Sequence, residues 1–396
     1  MRILLINHFP LEGSGSGIYT QNVADVLLKL GHEVMVIAPD HKQVTNKDFL
    51  MRSIIFSNGV NKNFHLPFNF PCFTTHPFSN TTFYELTDAQ FLDYVNAFID
   101  STSKAIDNFK PDIIHTQHLW VSSYCALKTG LPFVTTCHGT DLIGFRKGKR
   151  YRYMAIDAAK EASVIIAISN QVKKDILNLF DISDKKIKVI SNGFNSNIFR
   201  IKEIDRQKIL NELGLPVDVE KVICFVGKLT HFKGVDVLIK AASIYEKVLD
   251  NVITLIVGYG ELYDELVNLA NKMGLKRFYF LGHHDQNMVS KIYNLADLSI
   301  VPSRKEAFGL VAIESLACGT PVIGTKNGGL LDFINEDVGA IIKPDSPKEL
   351  AEKIIEEINS DSKTKKGKLA AKYALKNYSW EKNVNELINL YKKVIE

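Results

Sequence analysis

Short runs of Val, Ile and Leu recur along the chain, each followed by a stretch whose apolar residues return with helical spacing. That alternation predicts an α/β protein whose parallel sheets are covered by amphipathic helices. RILLIN (2–7), EVMVIA (33–38), DIIHT (112–116), PFVTTC (132–137), SVIIAIS (163–169) and KIKVIS (186–191) predict a first sheet. KVICFVG (221–227), VITLIVG (252–258), RFYFLG (277–282), LSIVPS (298–303), PVIG (321–324) and GAIIK (339–343) predict a second. Residues 192–220 carry SNGF, a charged stretch and the turn-prone LGLP with no strand-like run, which sets a domain boundary near residue 200. From about Asp361 the chain is helical and Lys-rich, with apolar spacing at Trp380, Val384, Leu387, Ile388 and Tyr391. Residues 61–92 follow neither period and are rich in Phe, Pro, His and Asn, so they predict a structured loop. Its Phe side chains either pack the loop against the first sheet or form a wall on the acceptor side.

Length changes this picture little, because 396 residues exceed what one core holds efficiently and fit two domains. With 46% hydrophobic residues and no apolar run near the roughly 18–20 residues of a membrane helix, the chain reads as soluble. Its start, MRILLIN, reads as a strand rather than a secretory leader, so a cytoplasmic location is expected. Five cysteines without metal-ligand spacing read as reduced and mostly buried. A net charge of +4 gives no argument for nucleic-acid binding.

Candidate chemistry concentrates in RKEAFGLVAIESLACGTPVIG (304–324), where a strand ends, a loop holds Glu306, and a helix is expected to start near Phe308 and to contain Glu314. A first turn built by Phe308, Gly309 and Leu310 presents unpaired N–H groups to a phosphate or to sugar hydroxyls. Glu306 at the helix mouth and Glu314 well inside it have separate roles. In FVGKLTHFKGVDVLIKA (225–241), a strand, Gly227, the cations Lys228 and Lys233 and then a helix make a cradle for a pyrophosphate. The segment HFPLEGSGSGIYTQNVADVLLKLGHEV (8–34) sets Gly15 and Gly17 between the first strand and a helix, either as a flexible connector or as a phosphate loop. HGTDL after PFVTTC puts His138 and Asp141 at a strand end. FRKGKRYRY (145–153) is either a solvated basic face or an anion site for a phosphorylated acceptor or an anionic membrane surface.

Glu306 and Glu314, spaced Glu-x7-Glu within PSRKEAFGLVAIESLACGTPVI, resemble the nucleotide-sugar site of family 4 (group 1) retaining glycosyltransferases with the GT-B fold. The GKLTHFKGVDVLIKA segment is similar to their GRLxxxKGxDxLIxA motif, with Lys228 where Arg is usual, and VISNGFNSNIF (189–199) resembles their VIxNGVDxxxF segment. The resemblance implies two Rossmann-like domains facing a central cleft, an N-terminal acceptor-side domain over 1–200, a nucleotide-sugar domain over 201–375, and a helix over 376–396 that returns to the first domain. It implies that Glu306 binds donor-sugar hydroxyls, that Phe308 to Leu310 lie beside the sugar and diphosphate, that Glu314 binds the ribose, and that His138 lies over the donor sugar. The base is then held around Gly282 to His284, with His283 on the donor side. No metal and no further cofactor is implied. The donor is a nucleoside-diphosphate sugar, UDP by family frequency, and the acceptor a sugar, a polyol or a lipid-linked hydroxyl. Departures from the pattern are Asn195, Tyr259 in VGYGE and Asp332 in GGLLDFI. A nicotinamide-dependent oxidoreductase is disfavoured because GxGxxG is missing after the first strand. A sugar-nucleotide epimerase or phosphorylase, and a non-catalytic nucleotide-sugar-binding protein, stand as the alternatives.

Overall fold

A computed structural model describes residues 1–45 and 47–396 and gathers the apolar runs into two all-parallel sheets. The first holds β1 (Arg2–Ile6), β2 (Glu33–Asp40), β3 (Leu50–Ile55), β4 (Ile113–Gln117), β5 (Phe133–Cys137), β6 (Val164–Ala167) and β7 (Ile187–Val189). Their order is β3-β2-β1-β4-β5-β6-β7. The second holds β8 (Lys221–Val226), β9 (Val252–Val257), β10 (Phe278–Gly282), β11 (Leu298–Val301), β12 (Val322–Thr325) and β13 (Gly339–Ile342). Its order is β10-β9-β8-β11-β12-β13. Helices cover both faces of such sheets, so central strands are apolar throughout rather than alternating: Ile3 to Ile6 are fully buried, as are Val222 to Cys224.

Strand order reverses beside β1, which lies between β2 and β4, and beside β8, which lies between β9 and β11. A crevice outside the carboxyl ends of the strands forms at each reversal, and it is there that open α/β sheets bind ligands. The loops that leave β1 and β8 are therefore the two segments best placed to carry chemistry.

The first sheet contains a strand beyond the six expected, β3. LMRSII is interrupted by Arg52 and Ser53, and as an edge strand it is paired on one side only and half exposed, without the continuous apolar run of its neighbours. Residues 61–87 form an irregular segment with isolated bridges, and a helix, Asp88–Phe109, begins inside the stretch read as loop. Thr87 caps that helix in a reciprocal box with Gln90. Phe68, Phe70, Phe73 and Phe83 are buried, which fits the packing role of the aromatics, whereas Phe64 and Phe78 stay exposed.

The chain divides into one unit of Met1–Asn192 with Asn383–Glu396 and another of Gly193–Lys382. The division precedes the boundary near residue 200 because Gly193 and Phe194 join the second unit: a Cβ on Gly193 would lie 2.4 Å from the Trp380 ring, and the Phe194 N–H donates to the Tyr378 carbonyl (3.1 Å). Trp380 therefore packs within the second unit. The final helix, Trp380–Ile395, passes to the first unit from Asn383 onward, where Val384, Leu387 and Tyr391 are buried and the Tyr391 hydroxyl lies 2.6 Å from His115 Nδ1. All five cysteines are buried and unpaired. Among the described residues no helix is long and apolar enough to cross a membrane.

Candidate functional site

In the second unit the loops after β8, β9 and β10 are zipped together by backbone hydrogen bonds: Gly227 donates to Val257 (3.0 Å), Leu229 to Tyr259 (3.1 Å) and Gly258 to Gly282 (2.7 Å). The contact at Gly258 leaves no room for a side chain, since a Cβ there would lie 1.9 Å from the Gly227 carbonyl oxygen. The Gly227 N–H is thus taken up by the neighbouring strand. Gly234 has φ of +69° and would bring a Cβ within 2.1 Å of the Pro302 carbonyl, so glycine is required where the β8 loop turns into the helix Val235–Tyr245 against the end of β11. That close approach carries Lys233 to Glu306. Their Nζ and Oε2 atoms are 2.6 Å apart, and Ser303 Oγ donates to the same carboxylate oxygen (3.3 Å). Lys228 is exposed on the same loop, and His283 is exposed on the loop after β10.

Two features that hold Glu306 in place escaped the sequence reading. Arg304 forks onto Asp236 through two bonds (2.7 and 2.8 Å), donates to the His231 carbonyl (2.8 Å) and reaches Asp345 through Nε (2.6 Å). Burial alone would raise the Asp236 carboxyl, but the Arg304 hydrogen bonds and charge hold it below its ordinary range. The spacing of a cation and an acid on separate segments carries no signal of such a pairing. Gly328 and Gly329 close over the Glu306 backbone: a Cβ at Gly328, whose φ is +65°, would lie 1.7 Å from the Glu306 carbonyl oxygen, and the Gly329 N–H donates to that oxygen (3.0 Å).

The helix expected from Phe308 begins at Leu310, with Gly309 as its N-cap at φ +99°. Phe308 lies outside it, buried against Phe333 and Tyr378, so its side chain serves the core. No side chain caps the helix Leu310–Ala317, and its first N–H groups and positive dipole end face the loop that carries Glu306. Glu314, within this helix, is buried, and burial pushes its carboxyl up to about 8.

In the first unit, Ser14 caps the helix Gly15–Lys29 by accepting from the Gly17 N–H (3.0 Å). A Cβ on Gly17 would meet the Pro10 carbonyl oxygen at 2.2 Å, so this glycine is fixed by packing of the β1 loop onto its own helix. Gly15 is exposed with nothing within 4 Å of its Cβ position, and it is the glycine of the pair that leaves its backbone open to a ligand. His138, at the end of β5, is partly buried with Nε2 2.9 Å from Gln117 Oε1. Burial, and next His118, lowers its basicity well below the usual imidazole range, so it is neutral at pH 7. Asp141 is fully buried and accepts from the N–H groups of Leu119 (3.0 Å) and Gly139 (2.9 Å), which makes it a clamp on the β4 and β5 loops. Burial opposes its ionisation, but these bonds and His118 prevail and hold it at about 2. His8 and His118 stack at 4.3 Å between these loops; the His8 ring nitrogens are buried without hydrogen-bond partners, whereas His118 Nδ1 lies 3.8 Å from Asp141 Oδ1.

The basic segment does not gather into one anion site. Arg146 pairs with Asp175 (3.1 Å), Arg150 with Asp88, and Arg152 donates to the carbonyls of Phe145 and Arg146 (2.7 Å each). Lys147 lies over the Tyr84 ring (5.7 Å).

Residues 13–197 match Glycosyltransferase Family 4, and residues 205–376 match Glycosyl transferases group 1. An uncharacterized glycosyltransferase of Methanocaldococcus jannaschii is 31% identical over 292 residues, covering 72% of this chain and 76% of the relative. The chain belongs to the family 4, or group 1, glycosyltransferases. Within this family, a D-inositol 3-phosphate glycosyltransferase of Corynebacterium aurimucosum is 27% identical over 430 residues, covering 99% of this chain and 96% of the relative. Anabaena HepE, solved in complex with UDP, superposes with a TM-score of 0.75 at 19% identity, covering 99% of this chain and 100% of that one. The glycosyltransferase thus has the GT-B fold, with its two parallel sheets of seven and six strands.

Proposed function

We propose that the chain is a retaining glycosyltransferase that moves a hexose or an N-acetylhexosamine from a nucleoside-diphosphate sugar, UDP preferred, to an acceptor hydroxyl. The observation that carries the reading is the Lys233–Glu306 pair (2.6 Å) beside the uncapped helix Leu310–Ala317, at the strand-order reversal of the second sheet. Breaking a sugar–phosphate bond builds negative charge on the departing diphosphate and positive charge at the anomeric carbon. Lys233, Lys228 and the N–H groups behind Gly309 answer the first, and Glu306 binds hydroxyls of the sugar. A donor phosphate competes with Glu306 for Lys233, so docking of the donor frees the carboxylate for those hydroxyls. Glu314, neutral at pH 7, offers both a donor and an acceptor to the ribose hydroxyls. His138, also neutral, is a hydrogen-bonding group for a sugar hydroxyl that adds no charge.

Retention follows from the family resemblance: the leaving phosphate takes the acceptor proton while the protein positions both partners. The UDP preference is supported by the UDP complex of the related fold. The unpaired cysteines support a reducing, cytoplasmic setting. The test is a panel of UDP-, GDP- and ADP-sugars, followed by thermal stability and by acceptor-dependent nucleotide release, with proton NMR of the product anomer. Stabilisation by one donor, acceptor-dependent release and an unchanged anomeric configuration are expected. An inverted product overturns the mechanism, and donor binding without turnover leaves a binding protein.

A further inference from the structure

The helix Ser362–Tyr378 in the second unit has no part in the chemistry above, and it carries six lysines and no carboxylate. Its inner side is small and closely packed: Gly367, Ala370 and Ala374 are buried, and a Cβ on Gly367 would lie 2.5 Å from the Gly319 carbonyl oxygen. That contact fixes which side of the helix faces water. Three of the lysines are engaged within the chain. Lys363 donates to the carbonyls of Asn294 and Ala296 (2.6 Å each), Lys366 pairs with the buried Glu357 (3.1 Å), and Lys365 lies in the field of Asp361. Lys368, Lys372 and Lys376 are exposed, and among the described residues none of the three has a carboxylate partner. Spaced four apart, they form one line along the helix about 12 Å long. Leu369 and Leu375 flank this line on its two sides and are 49% and 54% exposed.

A face that only keeps a protein in solution mixes the two signs of charge. The preceding helix, Pro347–Asn359, does so, with Lys348 facing Glu352 (3.9 Å) and Lys353 facing Glu356 (2.6 Å). Arg146, Arg150 and Arg152 of the other basic run are likewise engaged, by Asp175, Asp88 and backbone carbonyls. The line of Lys368, Lys372 and Lys376 is instead a field of one sign, and charge complementarity makes its partner anionic. A nucleic acid is met by arginine forks and aromatic faces, and the exposed side of this helix offers neither. Leucines set beside lysines match an anionic bilayer: the ammonium groups reach the headgroup phosphates while the leucines enter the acyl boundary.

We propose that this face docks the protein onto an anionic lipid surface, with the line of three lysines and its two flanking leucines as the contact. Docking of this kind is independent of the transferase reading, since it needs no donor. Co-sedimentation of the full chain with vesicles of phosphatidylcholine, with and without phosphatidylglycerol, tests it. Binding is expected only to the phosphatidylglycerol vesicles, and it is expected to fall as salt rises. Each lysine near such a surface contributes about fivefold, so the triple variant Lys368→Gln, Lys372→Gln, Lys376→Gln is expected to bind roughly a hundredfold more weakly with an unchanged unfolding midpoint. Lys368→Arg, Lys372→Arg, Lys376→Arg together are expected to keep the binding, and Leu369→Ala with Leu375→Ala to weaken it roughly fivefold. Equal binding to neutral vesicles, wild-type affinity of the Gln variant, or loss of binding in the Arg variant overturns the proposal. Wild-type affinity of the leucine variant, with heparin or single-stranded RNA bound more tightly than the vesicles, would also overturn it and leave a polyanion surface in place of a lipid one.

Discussion

At the carboxyl ends of β8 and β11 charged side chains are matched in pairs, Lys233 with Glu306 and Arg304 with Asp236. At the ends of β1, β4 and β5 a buried carboxylate, Asp141, is instead held by the N–H groups of Leu119 and Gly139 with His118 Nδ1 3.8 Å away, beside the Gln117 amide and the imidazoles His8 and His138, whose basicity burial holds well below the usual range. A paired ion exchanges partners when a charged ligand arrives, because the ligand repays the Coulomb energy that the pair gives up. A buried imidazole has no such exchange open to it and is tolerated only while neutral. The charge pairs of the second unit are thus open to exchange with a charged ligand, whereas in the first unit Asp141 is locked by backbone N–H groups and the imidazoles of His8 and His138 stay neutral.

The sharpest break in that contrast is at Glu306. Glu306→Ala is expected to lower turnover by about a hundredfold or more while nucleotide affinity changes little, as for a group that acts mainly on the transition state. Lys233→Ala is expected to impair both, and steady-state kinetics with nucleotide titration reads the difference. Equal activity of both variants and wild type would sink the site assignment.

Next in size is Gly17→Ala, which forces a Cβ to 2.2 Å from the Pro10 carbonyl and is expected to destabilise the first unit by about 1–3 kcal/mol or more. Gly15→Ala meets nothing and is expected to leave the unfolding midpoint nearly unchanged. Comparable midpoints for the two variants would remove the distinction drawn between them.

Acidification tests the neutral cluster. His8 and His138 are held well below the usual imidazole range and His115 at about 3, in each case first by burial. Their folded forms bind protons more weakly than the unfolded chain, so stability is full above about pH 6.5 and falls as pH drops toward the folded values. For His115 the loss is on the order of 2 kcal/mol at pH 5. Urea unfolding at pH 7 and pH 5 measures it, and a flat profile would contradict the burial of these rings.

Glu314 runs the other way. Its carboxyl is raised from 4.5 to about 8, so its contribution is complete at low pH and is lost as pH climbs through that interval. Glu314→Gln is expected to gain stability over wild type as pH rises, and a constant difference would contradict it. The smallest effect is expected at Arg146, half exposed and paired with Asp175: Arg146→Ala is expected to change stability by under about 1 kcal/mol and leave transfer unchanged.

The second unit's site was legible because Glu306, Gly309 and Glu314 lie on one short segment and Lys228 and Lys233 on another. A strand, a turn and a helix start fix their placement locally, so spacing carries the information. Less legible was where the helix begins, since Phe308 continues an apolar pattern yet turns back into the core. The first unit was harder: the strand β3 lacks an apolar run, and the clamp at Asp141 draws on the loops after β4 and β5, which local spacing cannot join.

Periodicity and short motifs by themselves determined the α/β class, all six strands of the second sheet and the candidate donor-side residues, because each depends on interactions between near neighbours in the chain. Only the tertiary structure decided which glycine is needed for packing and which is open, which cation meets Glu306, and that Trp380 stays with Gly193 while the residues from Asn383 join the first unit. Those outcomes depend on carbonyl oxygens and side chains brought together from distant segments, and nothing in the local sequence encodes how closely they approach.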